Sequence, residues 1–389
     1  MDVINLISKV QSFPDVPGPL PPGQEYVMGD QFFINGPRLH EFLHAIHDEV
    51  LSKYDTITVG EMPGISDINE IIKTVGSNAG ELNMIFIFDI VDIDNVPGAP
   101  HFKFSFRQIN ASDISRVISK WQRAMRDHDG WNSVFLSNHD QQRAVSRFVD
   151  DSDEYRERGA KLLALMETTL AGTLYIYQGE ELGLRNAPET WDPATDYKDI
   201  ESTNFWKKCQ KQFANDPEKL AEYRKILVRK ARDNSRTPMQ WSAKPNAGFC
   251  EEGVTPWMRV NEDYETFNVE AQLEKGSGEN GVSVFRFWQD AIKRRKELKD
   301  VFVYGDFHVV GETEATKDKI FAYIRHGDES GKWLIVLNFS GEKVKWGIPM
   351  EHEVREWVVG NYGEKALGKG FKEIIELEPW EALLGICKE

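Results

Sequence analysis

Cysteine is scarce in this chain: Cys209, Cys250 and Cys387 are the only three in 389 residues, and no pair has a CxxC spacing. An odd, scattered set argues against a disulfide framework and against a cysteine-built metal centre. It suits reduced thiols in a cytoplasmic protein. Long apolar runs are missing too; none approaches the ~20 residues of a membrane-spanning helix, and the opening residues do not read as a secretory leader. Basic charge is in deficit, with 47 Lys and Arg against 63 Asp and Glu and a formal net charge of −16. Nucleic acid and anionic membrane surfaces are both held by basic patches, so neither suits such a balance. A neutral small molecule fits more easily than a polyanion. Asn110-Ala111-Ser112 and Asn338-Phe339-Ser340 match the glycosylation pattern, but so short a pattern arises often by chance.

The composition, 40% hydrophobic and 28% charged, is that of a globular protein with room for two or three domains. From about residue 37 to 300 the chain alternates apolar strands with amphipathic helices. Helices are predicted over 37–54, 113–127, 155–170 and 281–298, and strands over 56–59, 83–93, 133–136 and 174–177. This repeat implies a parallel α/β sheet. The stretch 186–256, rich in charge and aromatics, breaks the repeat and reads as an insertion after a strand. The basic run Lys293-Arg294-Arg295-Lys296 reads as a solvated face matched to a helix C-terminus. Beyond residue 300 the spacing changes to short strands, over 301–304, 308–310, 320–324, 333–339 and 344–348, which predicts an all-β sandwich.

Four segments carry candidate chemistry. In Thr58-Val59-Gly60-Glu61-Met62-Pro63-Gly64 an acid ends an apolar run, where flanking glycines let the backbone turn and present the side chain. A surface glutamate fits this segment equally well. In Phe135-Leu136-Ser137-Asn138-His139-Asp140-Gln141-Gln142-Arg143 a His-Asp pair follows a strand. The Asp can accept two hydrogen bonds from adjacent sugar hydroxyls and the His can donate one, although a helix cap is the competing role. In residues 171–183 (AGTLYIYQGEELG) the glycines allow a tight turn, and Glu180 and Glu181 read as structural acids. In residues 232–241 (RDNSRTPMQW) two arginines four apart share one face and can hold carboxylates in place, or pack against the aromatic-rich insertion.

Together and in this order, the segments resemble the α-glucosidases of glycoside hydrolase family 13, in the oligo-1,6-glucosidase/maltase branch. FLSNHDQQR and RDNSRTPMQW carry the resemblance to that branch, and Met1-Asp2-Val3-Ile4-Asn5 is similar to the tail of its GFRMDVIN motif. The resemblance implies Asp2 as nucleophile, Glu61 as general acid/base and Asp140 as transition-state stabiliser. It further implies that His139 binds glucose hydroxyls and that Arg232, or secondarily Arg236, lines the glucose pocket. Val3 would select linkage, since valine after the nucleophile goes with α-1,6 bonds and threonine or alanine with α-1,4. Gln142 departs from the family, which more often has proline there; an effect on the loop and not on the chemistry is expected.

The fold the resemblance implies is the C-terminal half of a (β/α)8 TIM-type barrel over 1–300, followed by an all-β sandwich over 301–389. The implied reaction is retaining hydrolysis of short isomaltose- or maltose-type oligosaccharides: Asp2 attacks the anomeric carbon while Glu61, its pKa raised by neighbouring carboxylates, protonates the leaving oxygen. Neither a metal nor an organic cofactor is required. Closing a barrel takes about eight strands; only four and the rim of a fifth are counted here. Asp2 is therefore expected on a frayed terminus, and the 389-residue chain is expected to be inactive by itself. Two other functions remain open: a non-catalytic partner protein similar to glucosidase-like ectodomains of transporters, and a transglucosylase or isomerase in which a sugar resolves the glucosyl-enzyme.

Overall fold

The computed structural model describes residues 1–20, 26–99, 102–275, 281–363, 367 and 373–388. Packing divides the chain into two compact units, Met1–Ile90 with Lys120–Ser133, and Val91–Ser119 with Val134–Glu389. In chain order the first elements are α1 (Leu39–Glu49), β1 (Val59–Glu61), α2 (Ile68–Val75), β2 (Met84–Phe86), α3 (Phe88–Val91), α4 (Ala111–Asp127) and β3 (Ser133–Val134). They are followed by α5 (Ala144–Phe148), α6 (Arg156–Thr169), β4 (Thr173–Leu174), α7 (Ile200–Gln212), α8 (Pro217–Lys230), α9 (Val269–Glu274), α10 (Val284–Glu297) and α11 (Lys299–Phe302).

In the first unit β1 and β2 pair in parallel with Gly60 opposite Ile85, and Ile85 also bridges in parallel to Asn132. Such a pair needs cover on its faces, and Met84 and Ile85 are buried. Helix α1 contributes Leu39 and Leu43, one turn apart and both buried. Helix α2 starts where the Asp67 carboxylate accepts the Asn69 N–H. Gly60 has a packing reason: a Cβ there would lie 2.8 Å from both Ile4 Cδ1 and Leu82 Cδ1.

In the second unit the region expected as an insertion packs on itself. Helices α7 and α8 enclose Trp191, Tyr197, Phe205, Trp206 and Leu227, and Asp199 and Asp216 cap their starts. Beyond α11 come β5 (Asp306–Val309), β6 (Ile320–Gly327), β7 (Gly331–Asn338), β8 (Val344–Gly347), β9 (Val354–Gly360), β10 (Ile374–Leu377) and β11 (Ala382–Cys387). Five of them form an antiparallel sheet in the order β5-β6-β7-β11-β9, and β8 and β10 form a second ladder. One apolar core draws from both, including Ile324, Val336, Trp346, Trp357 and Leu377.

Several local expectations are corrected. The apolar run 301–304, read as a strand, lies in α11 and the turn after it, because the Lys299 carbonyl collects the N–H groups of Val303 and Tyr304 at 2.9 and 3.0 Å. A four-residue apolar run has no period long enough to separate the two conformations. The strand expected over 83–93 stops at Phe86, and α3 follows. Arg295 does not belong to a solvated face: it is buried and donates to the carbonyls of Thr168, Leu170, Phe302 and Gly172. Asn338 is also buried, its amide spent on the carbonyls of Glu342 and Glu378, so that glycosylation pattern has no accessible acceptor. The three cysteines are free thiols. Among the described residues no helix is long and apolar enough to cross a membrane.

Candidate active site

Of the candidate residues, Asp2, Val3 and Glu61 belong to the first unit, and His139, Asp140, Arg232 and Arg236 to the second. In the first, the Met1 amine donates to the Val59 carbonyl at 2.7 Å, and the Met1 carbonyl accepts from the Glu61 N–H at 3.0 Å. This is the pattern of a parallel ladder along the free edge of β1. It sets Met1 level with Gly60 and therefore Asp2 level with Glu61. The expected fraying stops short of Asp2, because the residue before it is tied to β1. Residues level with each other on neighbouring parallel strands share a face, and such strands run about 4.8 Å apart. After Asp2 the chain turns sharply: Val3 has φ 33° and ψ 51°, and Ile4–Leu6 form a 3-10 turn. Buried Asn5 donates its side-chain amide to the Pro63 carbonyl at 2.7 Å, joining the loop after Asp2 to the loop after Glu61.

In the second unit β3 continues into buried Phe135, Leu136 and Ser137 and then opens into the 138–143 loop. Asn138 Oδ1 accepts the Asp140 N–H at 2.8 Å, closing an Asx turn that aims the next side chains. Asp140 Oδ1 lies 2.9 Å from Arg236 Nη2, 3.4 Å from Arg232 Nη1 and 3.6 Å from His139 Nε2. Arg236 also donates from Nε to the His139 carbonyl at 2.8 Å and pairs with Asp199 at 3.2 Å. Arg232 Nε sits 3.1 Å from Glu201 Oε2, an ion pair without hydrogen-bond alignment. The two arginines occupy the ends of the 3-10 turn Arg232–Arg236. Each guanidinium is thus held between Asp140 and a second carboxylate at the start of α7. The competing helix-cap role is not the one Asp140 takes, since α5 begins after Arg143 without a side-chain cap.

Two anchors hold this loop from below, and neither was singled out as such in the sequence. Arg143 is buried and donates to the Gln178 carbonyl at 2.6 Å, the Asn234 carbonyl at 3.1 Å and Thr237 Oγ1 at 3.3 Å. Gln142 is buried as well, and its amide donates to Asp94 Oδ2 at 2.8 Å. Asp94 Oδ1 pairs with Arg147 at 2.6 Å and Lys230 at 2.9 Å. Burial pushes the Asp94 carboxyl upward, but the two cations outweigh it and hold the group down at about 2. Asp94 had no sequence signal; it follows directly on the apolar run 83–93, which reads as a strand. On the far side, Glu180 accepts the Ser137 hydroxyl and the Tyr177 N–H, and Glu181 accepts the Gly179 N–H. Among the described residues no group of three or more His, Cys, Asp or Glu side chains is arranged to hold a metal ion.

Residues 1–305 match the alpha amylase catalytic domain, and the chain belongs to that family. It is 39% identical over 384 residues to an alpha-glucosidase of Schizosaccharomyces pombe, covering 99% of this chain and 63% of that one. It is 41% identical over 385 residues to an oligo-1,6-glucosidase of Parageobacillus thermoglucosidasius, covering 98% and 64%. Among solved structures it resembles trehalose-6-phosphate hydrolase of Bacillus licheniformis, with a TM-score of 0.81 at 34% identity, over all of this chain and 64% of the other. The chain thus spans a little under two thirds of the length of these proteins.

Proposed function

We propose that this chain carries the cleavage machinery of a retaining α-glucosidase acting on terminal α-glucosides of short oligosaccharides, of the isomaltose or maltose type. The observation that carries the reading is the Met1–β1 ladder, which sets Asp2 level with Glu61. Retaining glycosidases keep their two carboxyls about 5–5.5 Å apart, the spacing that neighbouring strands supply. Asp2 attacks the anomeric carbon while Glu61 donates its proton to the departing oxygen. Glu61 then takes a proton from water, which opens the glucosyl-enzyme. Asp140 accepts hydrogen bonds from adjacent glucose hydroxyls, its carboxylate oriented by Arg236 and Arg232, and His139 donates to a neighbouring hydroxyl. The names of the relatives support the substrate class.

The arrangement belonging to this reading is a half-barrel over 1–300, with the 186–256 insertion on its rim, followed by a β-sandwich over 301–389, in a cytoplasmic protein. Parallel pairing of β1 with β2 and the shared core of the two C-terminal ladders support it. The test is hydrolysis of p-nitrophenyl α-glucoside by the 389-residue chain, alone and joined to the N-terminal third of the Parageobacillus relative. The joined protein should release glucose with retained α configuration, and Asp2→Asn should abolish turnover. A joined protein that folds yet leaves the glucoside intact would return the reading to a non-catalytic partner. Longer or rearranged saccharides at high substrate would move it to transglucosylation.

A further inference from the structure

Asp94 takes no part in the cleavage chemistry, yet its buried carboxylate is met from three directions. Oδ1 receives Arg147 Nη2, from α5, at 2.6 Å and Lys230 Nζ, from the last residue of α8, at 2.9 Å. Oδ2 accepts Gln142 Nε2, from the loop that carries Asp140, at 2.8 Å. All three partners are buried as well. Lys230 Nζ is steadied further by donating to Asn95 Oδ1 at 2.6 Å.

A cluster of this kind has a plain reading as core stabilisation. Its energetics favour that reading weakly, because charges taken out of water are costly and an apolar cluster of similar volume would hold the fold as well. What the cluster adds is register, since each partner has one place where its charge or dipole is met. The places it fixes border the Asp140 site. Gln142 lies two residues beyond Asp140, and Lys230 lies two residues before Arg232, which opens the 3-10 turn Arg232–Arg236. Asp140 meets those arginines at 3.4 Å and 2.9 Å. The contacts therefore close a ring that runs from Asp94 to Gln142, along the loop to Asp140, across to Arg232, and back through Lys230. Arg143 makes the other link between the same two segments, through the Asn234 carbonyl and Thr237 Oγ1. Asp94 holds the entry to the turn and Arg143 its far end.

We propose that Asp94 is a positioning residue for sugar cleavage: by gripping Gln142 and Lys230 at once, it sets the spacing between the Asp140 carboxylate and the arginines that orient it. The relevance to cleavage rests on the role of Asp140 given above, whereas the clasp between the two segments does not. Without the clasp, the Asp140 loop and the 232–236 turn shift against each other. The carboxylate then meets the glucose hydroxyls out of place.

Hydrogen exchange on the 389-residue chain, without substrate, reads the clasp directly. Gln142→Met keeps the length of the side chain and removes its donor, so exchange over 138–143 should quicken about tenfold. Gln142→Asn, whose amide stops one methylene short, should do the same. Lys230→Met should quicken 230–236, and Asp94→Ala should quicken both stretches together. Exchange in β6 and β7 should stay as in the wild type for the two Gln142 variants, which separates local release from general loss of stability. Unchanged exchange over 138–143 in either Gln142 variant would overturn the proposal, even where the Asp94 and Lys230 variants fail to fold. In the joined protein, Gln142→Met should lower kcat on p-nitrophenyl α-glucoside about tenfold and move KM by less than about twofold. Asp94→Asn should show the opposite split. Gln142 Oε1 has no hydrogen-bond partner, so the new amide can donate to it while its oxygen faces the two cations. That variant should lose stability in urea and keep kcat within about threefold of the wild type. A released 138–143 loop with kcat unchanged in Gln142→Met would overturn the positioning role. Quickened exchange with no turnover in the joined wild type would overturn the glucosidase reading, and with it the bearing on cleavage, while the clasp stood.

Discussion

Arg236 touches Asp140 at 2.9 Å and braces the carbonyl of His139, whereas Arg232 reaches Asp140 only at 3.4 Å. Their order of importance should follow. In the joined protein Arg236→Ala is expected to lower kcat/KM by about a hundredfold, the scale of a 1 Å misplacement, and Arg232→Ala by about tenfold. Steady-state kinetics on p-nitrophenyl α-glucoside checks both, and equal losses would mean that the closer contact does not set the geometry. The motif spacing placed both arginines at one turn, and the family resemblance put Arg232 ahead of Arg236. Only the path of the 232–236 turn, absent from any spacing, favours the second. Val3 sits at φ 33°, where a β-branched residue is strained. Threonine is β-branched too, so Val3→Thr keeps the strain and changes only the hydroxyl. It should move the ratio of isomaltose to maltose turnover several-fold toward maltose; an unchanged ratio removes Val3 from specificity.

Among the elements, the long amphipathic helices were legible because their apolar period is sustained over many residues. Prediction over 113–127 and 155–170 agrees with α4 and α6 within two residues at either end. The failures share a cause: a run too short to have a period, as at 301–304, or a charged residue read by its charge alone. Arg295 is the clearest case. Its four carbonyl partners come from the end of α6, the turn that follows and the end of α11. Three of those partners lie more than 120 residues away in sequence, so no local pattern announces them. Arg295→Met should cost on the order of 3 kcal/mol in urea unfolding, because it leaves buried carbonyls unpaired, while Lys293→Met, on the exposed side of the same run, should cost under about 0.5 kcal/mol. Gln142 belongs to the same lesson. It was flagged as a departure from the family, yet its burial against Asp94 became visible only with α8 in place to bring Lys230.

For the molecule as a whole, the two buried acid clusters tilt stability in opposite directions with pH. Asp94, lowered from 3.8 to about 2, adds stability that is present above about 3.8 and lost as pH falls through about 2. Glu180, raised from 4.5 to about 7, adds stability that is present below about 4.5 and lost as pH rises through about 7. Their sizes are comparable, roughly 2 and roughly 3 kcal/mol at most by the usual conversion. Urea unfolding of the 389-residue chain should therefore give its highest stability between about pH 4 and about pH 5. The net charge of −16 adds self-repulsion on the alkaline side. Salt should relieve that part and leave the slope set by burial of Glu180; a slope erased by salt would assign the effect to the surface alone. The charge balance was plain from composition, but burial of individual acids was not, because composition counts side chains without saying which ones are dry. One methyl group offers a sharper lever than any charge. With Ile4 and Leu82 both pressed against Gly60, alanine at that position would act as a wedge. It would prise the segment behind Asp2 away from the edge strand and, in the joined protein, should lower glucoside turnover while every ionisable group stayed in the molecule.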